Sequence, residues 1–232
     1  MTPPFEPPFT LTPMVLDLTG RIGEEIGRQG WLRDFPLTPE LRRGNRLRTI
    51  QASLAIENNS LSLEQVTAVV AGKRVMGPPK EIQEVHNAFT AYEAMEGWNP
   101  ASSKDLLTAH RLLMSGLVKD AGRYRTGAVG IAQGEEIVHL APPAARVPEL
   151  MKDLLGWLKR TKVPPLVTSC VFHYELEFIH PFADGNGRMG RLWQTLILSR
   201  WKPALAWLPV ESVIRERQRD YYAALAASDR AG

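Results

Sequence analysis

Residues 180 to 191 read His-Pro-Phe-Ala-Asp-Gly-Asn-Gly-Arg-Met-Gly-Arg. An imidazole ionises near neutral pH and suits proton transfer, so His180 is a candidate general base. The carboxylate of Asp184 offers the hard oxygens that a divalent cation prefers. Gly185 and Gly187 can both adopt φ > 0, and the successive N–H groups around them can form an anion nest where a helix begins. Arg188 and Arg191 fall in the expected first turn of that helix, where the macrodipole disfavours a cation by about 0.3–1 kcal/mol. Two such placements call for a compensating anion. The chemistry indicated is phosphate binding with a base at hand.

Other uses of the same residues are weaker. Gly185-Asn186-Gly187-Arg188-Met189-Gly190 spells G-x-G-x-x-G, and Glu211 follows about twenty residues later, as in a dinucleotide fingerprint. Five residues from His180 to Asp184 separate the first glycine from any preceding strand, however. Asp184 would put negative charge beside a pyrophosphate, and the chain has no βαβ repeats. An EF-hand fails because Met189 stands where glycine is needed and Thr195 where glutamate is needed. A purely structural turn would not require His, Asp, Asn and two Arg together.

Mostly helical elements must position this loop. Leu47, Ile50 and Leu54 share one face of a helix from Leu41 to Glu57, closed by Asn58-Asn59. Ser62 and Gln65 form a capping box for a short helix that Gly72 ends. Ile82, Val85, Phe89 and Tyr92 define a helix that stops near Gly97, and Ser103 is expected to cap the next. Between Gly122 and Pro142 two short runs flank a glycine-containing turn, which reads as a β-hairpin with Ile137, Val138, His139 and Leu140 on its second arm. Pro148 starts a helix to Arg160, and helices are expected over 166–179, 188–201 and 211–227. The segment 166–179 is ambiguous, because Phe172, Tyr174, Leu176 and Phe178 also alternate like a strand. The fold class is mostly α with one hairpin.

The 232 residues allow one substantial core with a small appendage. Charged residues make up 23% and hydrophobic ones 44%, ordinary for a soluble globular chain. The net charge of +3 comes without a Lys/Arg block of nucleic-acid type. Residues 40–49 (ELRRGNRLRT) are a short basic stretch better suited to a solvated face or to internal acidic partners. The single cysteine, Cys170, lies among Val167, Val171 and Phe172 and reads as a small buried residue. The absence of a disulfide partner fits a reducing compartment. There is no apolar run of membrane-spanning length and no signal-peptide pattern, so the cytoplasm is the expected location. Pro3, Pro4, Pro7, Pro8 and Pro13 suggest a flexible N-terminal arm.

The positions from His180 to Arg191 match in full the signature H-P-F-x-[D/E]-G-N-G-R-x-x-R, so the chain resembles the Fic family, from about Leu41 to the YYAAL segment at 221–225. The resemblance implies a helical bundle with the hairpin as a flap over the active site. It implies a protein adenylyltransferase that moves AMP from ATP to a Ser, Thr or Tyr hydroxyl. His180 would be the base and Asp184 a ligand of Mg²⁺. Asn186 and the Gly185 and Gly187 amides would hold the α-phosphate, Arg188 the β-phosphate and Arg191 the γ-phosphate. Phe182 would anchor the loop in the core. Tyr221, Tyr222 and Asp229 match positions flanking adenine, and residues 137–140 match the arm that clamps a target segment by strand addition.

Ser53-Leu54-Ala55-Ile56-Glu57-Asn58 matches the family's inhibitory pattern [S/T]-x-x-x-E-[G/N]. Ser53 and Glu57 would share a helix face, and Glu57 would form a bidentate bridge to Arg191 in the place of the γ-phosphate, as in class II members. The division expected is an arm with a short helical segment (1–40), an inhibitory helix and linker (41–80) and a catalytic core (81–232). Many similar bacterial proteins continue into a winged-helix domain, which these 232 residues do not include, and a truncated DNA-binding tail is left open. The partner implied is a target protein, with self-modification and homodimer formation left open, and no membrane or nucleic acid is engaged by the chain itself. AMP removal or transfer of another phosphate-containing group on the same scaffold is the alternative chemistry. A non-enzymatic nucleotide-binding regulator is the alternative of another class, although it would have no use for His180.

Overall fold

The structure, a computed structural model, describes residues 4–28, 38–133 and 136–231. Its helices, in chain order, are α1 (Pro13–Arg28), α2 (Pro39–Ile56), α3 (Leu63–Val70), α4 (Pro79–Ala94) and α5 (Ser103–Leu113). After the strands β1 (Gly130–Gln133) and β2 (Glu136–Leu140) come α6 (Val147–Arg160), α7 (Pro165–Ile179), α8 (Asn186–Trp201), α9 (Val210–Glu216) and α10 (Gln218–Ala231). The molecule is mostly helical. None of the described helices is long and apolar enough to cross a membrane.

Local chemistry accounts for most boundaries. Thr38 accepts a bond from the Leu41 N–H at 3.3 Å to open α2, with Pro39 in the first turn. The capping box of Ser62 and Gln65 opens α3 with both of its bonds made, and Gly72 follows the helix at φ 72°. Two expectations need correction. Ser102, not Ser103, caps α5, because its hydroxyl accepts from the Asp105 N–H while Ser103 is already helical. The single helix expected over 211–227 is two, broken at Arg217 (φ −112°, ψ 35°), so that α9 packs on α2 while α10 turns toward α7.

The ambiguous segment 166–179 is helical. Pro165 occupies its first turn, and Thr168, Phe172, Leu176 and Ile179 recur at helical spacing on the buried side. Phe178, which gave the strand-like alternation, is 37% exposed. Helix α8 is buried around most of its circumference, with Met189, Leu192, Trp193 and Leu196 in the core, so it runs through the middle of the bundle. It packs on α7 and also meets α2 and α5. Trp98 stacks on Trp193, and the Trp193 indole donates to the Pro100 carbonyl. Strands β1 and β2 pair antiparallel, with an irregularity between Ile131 and Ala132. In the proline-rich segment before α1, Phe9 meets the Trp157 ring edge-on. Cys170, expected to be buried, is exposed, because it faces outward on α7.

Candidate active site

Helix α7 ends at His180, which takes left-handed geometry (φ 49°, ψ 60°) while its N–H still donates to the Leu176 carbonyl at 2.9 Å. Pro181 then prevents helical continuation. A left-handed residue other than glycine costs on the order of 1 kcal/mol and needs external support. The imidazole Nδ1 is 3.3 Å from the Glu177 carbonyl oxygen. A carbonyl can only accept, so this contact calls for a proton on Nδ1.

The loop between α7 and α8 is braced from inside. Phe182 is fully buried and stacks on His110 with ring centroids 3.7 Å apart and planes 5° from parallel. His110 Nδ1 accepts from the Gly122 N–H at 2.8 Å, which leaves Nε2–H to donate to the Asp184 carbonyl at 3.0 Å. Burial pushes the His110 pKa down to about 4, so the ring is neutral and both nitrogens keep these roles at pH 7. Asn186 was expected to hold the α-phosphate. Both ends of its side-chain amide are spent on Phe182, accepting its N–H at 2.9 Å and donating to its carbonyl at 2.8 Å. The side chain is a staple, and what Asn186 itself can offer an anion at the helix start is its main-chain N–H.

The cations of the loop are neutralised by protein carboxylates. Arg188, in the first turn of α8, donates to Glu84 at 3.2 Å and to Asp184 Oδ1 at 3.1 Å. Glu84 is held in turn by Asn59 at 2.9 Å. Arg191 lies in the second turn, not the first, because α8 begins at Asn186. It is 2% exposed and donates through Nε to Ser53 Oγ at 3.0 Å, and through Nη2 to the Ser53 carbonyl at 3.0 Å and Glu57 Oε1 at 2.7 Å. The Glu57 bridge therefore uses one oxygen and is not bidentate, because Ser53 takes the other edge of the guanidinium. Burial alone would lower the Arg191 pKa, but the Glu57 carboxylate turns the net shift upward.

The three glycines of the loop have different causes. Gly185 precedes α8 at φ 85°. Gly187 was also expected at positive φ, but it is helical; its need is for space, since a Cβ there would lie 2.5 Å from Glu57 Oε1. The Glu57 carboxylate thus sits over the first turn of α8, where a helix N-terminus receives an anion. A Cβ at Gly190 would lie 2.5 Å from Glu177 Oε1 and 3.0 Å from the His173 ring. Burial raises the Glu177 pKa to about 7, with Arg191 opposing and Glu57 reinforcing the shift. Among the described residues neither Glu177 Oε1 nor His173 Nδ1 has a hydrogen-bond partner.

The remaining expected residues divide in two. Tyr221 hydroxyl bonds His173 Nε2 at 2.7 Å, Tyr222 is 45% exposed with its ring 5.2 Å from that of Tyr221, and Asp229 accepts from the Tyr174 hydroxyl at 3.0 Å. Tyr221 and Tyr222 on α10 lie close enough to Glu57 to feel its charge, while Asp229 ties α10 to α7. The docking role read for Ile137, Val138, His139 and Leu140 depends on side chains outside the described part of the structure. For a divalent cation, Asp184 is the available ligand. Its side chain is 49% exposed, and Oδ1 takes the bonds from the Gly185 N–H and Arg188. Oδ2 accepts none among the described residues, which fits a cation held by one carboxylate and completed by phosphate oxygens and water.

Sequence reasoning passed over Glu84, His110 and Arg125. The first two carried a signal, namely a polar residue inside an apolar stripe: Glu84 beside Val85 and Ala88, and His110 with Leu106, Ala109 and Leu113. Arg125 had none, since its partners come from distant segments.

Residues 100–198 match the Fic/DOC family. The chain is 66% identical to a Fic family protein from Desulfovibrio desulfuricans G20 whose crystal structure superposes with a TM-score of 0.93, covering 98% of this chain and 70% of that one. The structure of Fic-1 (residues 134–508) from Caenorhabditis elegans gives a TM-score of 0.75 at 26% identity, covering 95% of this chain and 67% of that one. Among curated proteins, protein adenylyltransferase fic-1 of C. elegans is 32% identical over 187 residues, 75% of this chain and 34% of the relative. Protein adenylyltransferase Fic of Nematostella vectensis is 30% identical over 186 residues, 75% of this chain and 41% of the relative. The chain thus spans well under half the length of these curated relatives.

Proposed function

Because the chain belongs to the Fic/DOC family, we propose that it is a protein adenylyltransferase whose activity is restrained by its own Glu57. The observation that carries this reading is the pairing of His180, whose Nδ1 faces the Glu177 carbonyl, and a helix start whose arginines are occupied by carboxylates. Relatives named as protein adenylyltransferases support the class of reaction.

In the proposed reaction the hydroxyl of a target Ser, Thr or Tyr attacks the α-phosphorus of ATP. The oxygen–phosphorus bond forms as the bond to the bridging β-oxygen breaks, and pyrophosphate leaves. His180 Nε2 takes the hydroxyl proton, a contribution of about 10²–10⁴-fold in rate. The N–H groups of Asn186, Gly187 and Arg188, without acceptors among the described residues, receive the α-phosphate oxygens, Arg188 faces the β-phosphate and Arg191 the γ-phosphate. Asp184 would hold Mg²⁺, which supplies charge neutralisation on the phosphates. Residues 136–140 would act as a flap that clamps the target by strand addition.

Restraint follows from charge and space together. Glu57 puts a carboxylate over Gly187 and removes the cation that the γ-phosphate needs. A nucleotide that enters must then bend its phosphates away from in-line geometry, and misplacement of that kind can cost on the order of 10²-fold.

The test is incubation with α-labelled or γ-labelled ATP, Mg²⁺ and a cell lysate, using the protein and its Glu57→Gly variant. Label retained on protein from the α position alone is the expected result. Retention from the γ position would make the protein a kinase. ATP binding with retention of neither label would leave a nucleotide-binding regulator.

A further inference from the structure

Arg125 lies between β1 and the catalytic loop and is 5% exposed. Its main-chain N–H donates to the Pro181 carbonyl at 2.9 Å. Its guanidinium Nε donates to the His180 carbonyl at 2.7 Å and Nη2 to the Ile179 carbonyl at 3.3 Å. One residue therefore takes three consecutive carbonyls of the left-handed turn. Nη1 donates to the Gly127 carbonyl at 2.9 Å and Nη2 also to the Pro142 carbonyl at 2.5 Å. Gly127 and Pro142 are the two feet of the hairpin that carries β1 and β2.

An arginine near the last carbonyls of α7 is favoured by the negative end of the helix. That would account for the bonds to Ile179 and His180. It does not require the two hairpin feet, and among the described residues Arg125 has no carboxylate partner. A desolvated cation is costly to keep without a counter-ion, so the site must return its value through these carbonyls. Lysine, a single ammonium on a flexible stem, could not span feet and turn together.

We propose that Arg125 is a positioning residue for His180, and that it joins the hairpin rigidly to the general base. The joint fixes the left-handed turn that aims the imidazole, so an acceptor segment laid along the hairpin and the base that deprotonates it keep one geometry. The inference rests on the assignment of His180 as base, but its structural half can be read without turnover.

The decisive variant is Arg125→Lys, made alone and in the Glu57→Gly background. The ring ¹⁵N spectrum of the five histidines reports the tautomer of each. Expected is loss of the Nδ1–H form at His180, while His110 and His173 keep their signals. Amide exchange should quicken together in 127–142 and 177–184. In the Glu57→Gly background, incorporation of α-label at saturating ATP should fall about tenfold, with the half-saturating ATP concentration changed less than about twofold. Faster exchange in the hairpin with an unchanged His180 tautomer and rate would overturn the proposal, leaving Arg125 as a hairpin anchor. Collapse of all five histidine signals and of the melting transition would also overturn it, since the role would be that of an ordinary core residue. If the Glu57→Gly parent itself incorporates no label, the proposed function fails, and the tautomer and exchange readings still decide the joint.

Discussion

The histidine half and the arginine half of the loop are held in different ways. His180, Phe182 and Asn186 are fixed largely by bonds to main-chain groups and by burial: Asn186 on Phe182, His110 on Asp184, Arg125 on three carbonyls. Arg188 and Arg191 are held largely by side-chain carboxylates of Glu84, Asp184 and Glu57. Main-chain braces cannot be exchanged without unfolding the turn. Carboxylates can be, because a polyphosphate presents the same oxygens and more charge. The proposed base is thus built into the fold, while the proposed anion site is filled by carboxylates that a ligand can replace.

The most severe way to break this contrast is at His180. In a Glu57→Gly background, His180→Ala should lower AMP incorporation by about 10²–10⁴-fold while ATP affinity, measured by calorimetry, stays within a few-fold. Parent-like turnover in that variant would remove His180 from the mechanism. On the arginine side, Glu57→Gly by itself should raise incorporation, by on the order of 10²-fold, with the fold retained. The double variant with Arg191→Ala should lose most of that gain, and equal activity of parent and Glu57→Gly protein would reduce Glu57 to a structural partner.

Asn186→Ala tests the braced half through stability. It strands the Phe182 N–H and carbonyl in a buried turn, at a cost of roughly 2–4 kcal/mol, or several degrees in Tm. A thermal melt within a degree of the parent would mean that the staple is dispensable. The smallest effect concerns Glu177, which lies between the halves. Its folded pKa of about 7 is above the ordinary carboxylate value of 4.5. Its stability contribution is therefore present in full below about pH 4.5 and is lost as pH rises through 7. His110 and His173, lowered from 6.5 to about 4, act with the opposite sign as pH falls through 4. Compared with the parent, Glu177→Gln should gain on the order of 1–3 kcal/mol between pH 4.5 and 7.5, read from denaturant melts. A difference that does not vary with pH would place the Glu177 pKa near its ordinary value.

Much of this protein was determined by sequence alone. The spacing from His180 to Arg191 carried the family, because fixed intervals of unlike chemistry within one turn are a local property. The helices were legible wherever caps and apolar stripes agreed, as at Ser62–Gln65 or along Ile82, Val85, Phe89 and Tyr92. Where two local signals competed, the reading erred or stalled: at the cap of α5, at the break near Arg217, and at the strand-like alternation in α7.

Tertiary structure alone decided which groups face one another. Asn186 could be read as a phosphate ligand until Phe182 was seen to use both ends of its amide. A bidentate Glu57 bridge was reasonable until Ser53 took the other edge of Arg191. Gly187 could be assigned positive φ until Glu57 was found lying against it. Arg125 gave no sign in sequence, because its five acceptors lie in three chain segments up to 56 residues away. Caps and stripes are encoded within a few residues of their effect. A carbonyl, which every residue carries, becomes a specific partner only when folding brings it within reach of a donor.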